Sequence, residues 1–120
     1  MRRLLGLVVV LLCLVLAGCG EDPASRPADW GYLHAAVIEP ACTSASCHSS
    51  LAKTGGVVLD DADSARRTLL EAGFVRPGDP NSPLLYLLRG DERQRMPPDA
   101  PLPRADVELV QRWIEGGAQP

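Results

Sequence analysis

The chain has 120 residues and a formal net charge of −3. That length holds one domain at most, and the acidic balance argues against a nucleic-acid partner, which a basic patch would serve. Its only aromatic side chains are Trp30, Tyr32, Phe74, Tyr86 and Trp113, so a domain of this size is short of large apolar groups for its interior.

The N-terminus reads as an export signal. Arg2 and Arg3 precede "LLGLVVVLLCLVLA", an uncharged apolar run of 14 residues. A comfortable membrane span takes about 20 residues, whereas a charged start, a short apolar run and a small-residue exit mark a signal peptide. The exit, "LAGC", resembles the lipobox of bacterial lipoproteins. That resemblance implies cleavage before Cys19 and acylation of its sulfur, which makes residues 1–18 a signal peptide and Cys19 a membrane anchor. Cys13 leaves with the signal. Several acyl chains together give lasting attachment, where one is marginal. Gly20 after the anchor points to the outer membrane, with the domain facing the periplasm. Without Arg2 and Arg3, ten basic residues face fifteen acidic ones, a net charge of −5. "GEDPASRPA" (20–28) completes the lipid anchor and tether, 19–28, as a fairly extended linker.

Residues 29–120 form the domain. "DWGYLHAAVIE" (29–39) predicts a helix capped by Asp29, with Trp30, Leu33, Val37 and Ile38 on one face and Pro40 as its stop. "LAKTGGVVLD" (51–60) reads as irregular, with Gly55 and Gly56 permitting a tight turn. "DADSARRTLLEA" (61–72) predicts a second helix closed by Gly73. "VRPGDPNSP" (75–83) is dense in turn formers. Ser82 is placed to cap a short third helix with Pro83 in its first turn, and Gly90 ends it. "DERQRMPPDAPLP" is a loop that is non-helical from Pro97 to Pro103. "RADVELVQRWIEGGA" predicts a last helix with Val107, Val110, Trp113 and Ile114 inward and Gly116 as its stop. No strand pattern is present. The expected fold class is all-α: about four short helices joined by long loops, which are unusual unless something organises them.

The chemistry concentrates in "ACTSASCHSS" (41–50). Cys42 and Cys47 are the two cysteines left after export and acylation, and outside the cytoplasm two thiols do not stay idle. Three readings fit. A Cys42–Cys47 disulfide closes a small ring and leaves His48 without a role. A structural zinc site wants four ligands, which Cys42, Cys47, His48 and His34 would supply at no common spacing. A covalent haem uses Cys-x-x-Cys-His, here expanded to "CTSASCH", with small residues that can bulge between the thiols. A haem's other face has few candidates: Met96 in "RMPP", His34 on the first helix, and Lys53. Met96 lies between a charge and two prolines rather than on a helical face, and this favours a ligand over a core methionine.

From Ile38 to Ala118 the chain resembles the small class I cytochrome c domains of exported bacterial proteins, in the planctomycete-type branch. "IEPACTSASCH", "VRPGDPNSPLLYLL", "RMPP" and "VELVQRWIEGGA" carry the resemblance, in the family's order. It implies one haem c held by Cys42 and Cys47, with His48 as proximal and Met96 as distal iron ligand. It also implies that "PGDPNS" lies along one haem edge and Trp113 lies near the pocket. Pro103 stands where members of that family often have Ser or Thr as a helix cap. The function so implied is a membrane-tethered electron carrier between exported redox partners, not an enzyme. A cofactor-free, disulfide-bonded interaction module and a haem sensor or enzyme with an open sixth position are the alternatives.

Overall fold

The computed structural model describes residues 20, 22–90 and 93–120. The expected signal peptide (1–18) and the expected lipid anchor at Cys19 lie outside the described residues. Four helices carry the fold, and no strand occurs among the described residues. None of the described helices is long and apolar enough to cross a membrane.

Helix α1 is built from three contiguous pieces: α-helical Trp30–Leu33, π-helical His34–Ile38 and α-helical Glu39–Cys42. Asp29 caps it, its carboxylate accepting the Tyr32 N–H at 2.9 Å. Trp30, Leu33, Val37 and Ile38 are buried as their spacing predicts. Pro40, expected to stop the helix, does not. The π segment shifts the pairing so that the Glu39 N–H reaches back to the His34 carbonyl, and Pro40 then falls in the first turn of the following α segment. There a missing N–H costs nothing and the fixed φ is already helical.

Helix α2 (Ala62–Glu71) is capped by Asp61, which accepts the Ser64 N–H at 2.9 Å. It closes at Gly73, whose φ of 73° is the left-handed geometry such a cap uses. Helix α3 (Pro83–Arg89) begins after Ser82. The Ser82 hydroxyl does not cap it: it faces the preceding turn, accepting the Arg76 N–H at 3.0 Å and meeting the Arg76 and Asp79 carbonyls. A fully buried hydroxyl must find partners, and here the turn offers more of them than the helix end. Helix α4 (Arg104–Glu115) starts at Pro103 with no side-chain cap and ends at Gly116.

The core joins α1 to α4. Trp30 and Trp113 stack with ring centroids 4.8 Å apart, and Leu33, Leu109, Val110 and Ile114 close around them. Leu109, outside the expected inward set, is also fully buried. Both indole N–H groups find carbonyls, Trp30 on Ala62 at 2.7 Å and Trp113 on Gln119 at 2.8 Å.

The segment read as an extended tether is partly folded. Pro23–Ser25 forms a 3₁₀ turn. Arg112 donates to the Ala24 carbonyl at 2.8 Å, and Arg26 pairs with Asp106 at 2.7 Å, both side chains about four-fifths buried. The negative charge that suits the start of α4 thus doubles as the anchor point for the N-terminal segment.

Candidate functional site

The loop after α1 is held by its own backbone. The His48 N–H donates to the Cys42 carbonyl at 2.9 Å, and the His48 carbonyl accepts the Leu59 N–H at 2.8 Å. The Thr54 N–H reaches the Cys47 carbonyl at 3.1 Å. Gly55 and Gly56 adopt φ of 65° and 76°, which closes the tight turn their sequence permits. The carboxylate of Asp60 accepts the Ser50 N–H at 2.7 Å, and this bond holds its pKa below the ordinary aspartate value. His48 is therefore pinned from both directions along the chain.

Its ring has a defined tautomer. Nδ1 lies 3.1 Å from the Thr54 carbonyl oxygen. A carbonyl can only accept, so Nδ1 carries the proton and Nε2 keeps its lone pair. Metal-bound imidazoles commonly have this arrangement, one nitrogen oriented by a backbone carbonyl and the other free to ligate.

Two adjoining cavities, of about 260 and 150 Å³, both border on Cys42, His48 and Met96. Cys47, Thr54, Pro97 and Pro98 also line the smaller one. The larger is walled by apolar side chains from every helix but α4, among them Ile38, Leu69 and Leu88, and by Phe74 from the turn after α2. The four residues singled out from the sequence are thus brought together, although Met96 comes from a distant loop. The Met96 N–H donates to the Leu87 carbonyl at 3.0 Å, which ties that loop to α3. The Arg95 guanidinium lies over the Pro97 and Pro98 carbonyls at 3.4 and 3.5 Å. Met96 itself is 38% exposed.

Both thiols are free. Burial pushes Cys42 up to about 11, with a smaller contribution from Cys47, so it is a neutral thiol near pH 7. The Cys47 sulfur accepts the Ser44 hydroxyl at 2.9 Å.

His34, the other candidate ligand, borders neither cavity. It is buried, and its Nε2 lies 2.8 Å from the Leu59 carbonyl. Lys53 is exposed and also lies outside both linings. The zinc reading finds no assembled site: among the described residues no three His, Cys, Asp or Glu side chains are placed to hold a metal. "PGDPNS" meets the end of α4, the Gly78 N–H on the Ile114 carbonyl at 2.7 Å, and Trp113 lies in the α1–α4 core; neither contributes to the cavity linings. Sequence reasoning missed Thr54, whose role is played by a backbone carbonyl. It also missed the wall residues Val57 and Leu59. An apolar "VVL" inside an otherwise polar loop was their signal.

The donor set suits a porphyrin-bound iron. Two thiols stand beside an imidazole with a free Nε2, a thioether borders the same space, and the walls are apolar. Residues 45–100 match the family model described as Planctomycete cytochrome C. The match takes in Cys47, His48 and Met96 and begins just after Cys42. No match was found among curated proteins or solved structures.

Proposed function

Residues 45–100 are a planctomycete-type cytochrome c domain, and from that premise we propose that the chain holds one covalent haem c and carries single electrons between exported redox partners while anchored to a membrane. The observation that carries this reading is the convergence of Cys42, Cys47, His48 and Met96 on one apolar-walled space.

Cys42 and Cys47 would hold the haem as thioethers, His48 through Nε2 and Met96 through its sulfur. When bound, the group supplies a one-electron Fe(III)/Fe(II) couple. The chain's own residues set how that couple behaves. In the neutral ring the Thr54 carbonyl keeps the His48 proton on Nδ1, which leaves the Nε2 lone pair for the iron. The soft thioether of Met96 would favour the reduced state and raise the potential. Apolar walls such as Leu69 and Leu88 would keep water and charge away from the bound group. With His48 and Met96 both holding the iron, no position would be left for a substrate, which would suit a carrier rather than an enzyme. Acylated Cys19 would place it on the outer membrane, facing the periplasm. An exported redox protein is its partner class.

Expressed with cytochrome c maturation machinery, the wild-type chain is expected to keep its haem stain after denaturing electrophoresis, and Cys42→Ser/Cys47→Ser to lose it entirely. An unstained polypeptide with Cys42 and Cys47 joined as a disulfide would end this reading in favour of the cofactor-free module. In the stained protein, Met96→Ala is expected to abolish the thioether–iron absorption band and lower the reduction potential. An unchanged spectrum and potential would remove Met96 from the ligand set.

A further inference from the structure

We propose that His34 is a positioning residue for His48, acting through the backbone of Leu59, and that the π segment of α1 brings it to the same side of the helix as Cys42. The functional consequence rests on the haem reading above.

Two ring N–H donors one turn apart on α1 grip the same stretch of chain. Trp30 Nε1 donates to the Ala62 carbonyl at 2.7 Å, and His34 Nε2 lies 2.8 Å from the Leu59 carbonyl. Since that oxygen only accepts, the His34 proton is on Nε2. The rings themselves are in contact, with centroids 5.6 Å apart. The stretch they hold carries the groups that fix the proximal loop: the Leu59 N–H on the His48 carbonyl at 2.8 Å and the Asp60 carboxylate on the Ser50 N–H at 2.7 Å. At the other end of α1, the Cys42 carbonyl takes the His48 N–H at 2.9 Å. His48 is thus located from both ends of one helix, directly at Cys42 and through Leu59 at His34.

This circuit is shortest when His34 and Cys42 lie on one side of α1. In an unbroken α-helix, eight residues turn by roughly 800° and leave the two about 80° apart around the axis. The i→i−5 pairing of His34–Ile38 takes about one residue, roughly 100°, out of that rotation and brings them within about 20° of each other. The same irregularity that lets α1 pass Pro40 therefore closes the brace around the proximal histidine.

The test uses the haem-loaded protein and three variants. His34→Leu removes the donor, His34→Asn is too short to reach, and His34→Gln carries an N–H to about the place of Nε2. Leu and Asn are expected to speed exchange of the Leu59 amide about tenfold. They should also broaden or split the low-spin ferric resonance of the haem iron and lower its potential, with Gln restoring both. Lowered denaturation midpoints in Leu and Asn with an unchanged ferric resonance and potential would overturn the proposal and leave His34 as a packing residue. Loss of the low-spin signal in all three, with Met96→Ala silent, would make His34 the iron ligand instead. If the variants do not fold, the wild-type protein still decides: nitrogen NMR of the reduced form must show His34 protonated on Nε2, and a proton on Nδ1 would refute the contact. Failure of the underlying haem reading is separate, since it appears as an unstained wild-type chain.

Discussion

The seam between α1 and α4 and the cavity bounded by α3 and the loops are built from similar side chains to different ends. At the seam, Trp30 and Trp113 stack and Leu33, Leu109 and Ile114 are sealed around them. At the cavity, Leu69, Phe74, Leu84 and Leu88 surround about 260 Å³ of space that no side chain fills. A protein interior is close-packed throughout. On the function proposed above, an apolar space bordered by Cys42, His48 and Met96 would have its share of the core supplied by the haem. The seam is finished by the polypeptide; on that reading the cavity would be finished by the haem.

That contrast can be broken or sharpened by mutation. Trp113→Ala should cost about 3–5 kcal/mol in denaturant unfolding whether or not haem is attached, because the seam does not depend on the cofactor. A much smaller loss would mean that the seam is not the self-sufficient half. Leu109→Ala and Leu69→Ala come next. In the haem-free chain the first should approach 5 kcal/mol and the second about 2, since Leu69 already borders a void. Haem attachment should raise the cost at Leu69 and leave that at Leu109 unchanged; equal costs in both forms would erase the distinction.

Arg26→Ala should cost about 1 kcal/mol, the worth of a partly buried ion pair, and should increase proteolysis of residues 22–28 without altering haem spectra. The smallest effect is on acid stability. The Ser50 N–H keeps the Asp60 carboxylate below its ordinary range. A group depressed in the folded state stabilises above its unfolded pKa, and that contribution fades as pH falls through the folded value. Asp60→Asn should therefore narrow the gap in unfolding midpoint between pH 7 and pH 3, and an undiminished gap would show that this contact does not steady the proximal loop.

What could be read in the amino-acid order is what short-range physics writes there. Asp29 and Asp61 cap helices because their carboxylates reach N–H groups three residues on. Gly73 ends a helix because it alone accepts the left-handed turn cheaply. Trp30, Leu33, Val37 and Ile38 share a face by periodicity, and Cys42, Cys47, His48 and Met96 stand out because few residue types bind iron or sulfur-reactive groups. What escaped was decided by partners that are backbone carbonyls, or by groups distant in sequence. Ser82 turns from α3 toward Arg76 and Asp79, Arg26 finds Asp106, and His34 finds Leu59. The π segment that carries α1 past Pro40 belongs with these. A carbonyl is present at every position and marks none of them, so residue identity names the donors of this site, and only the folded chain determines which oxygens hold them in place.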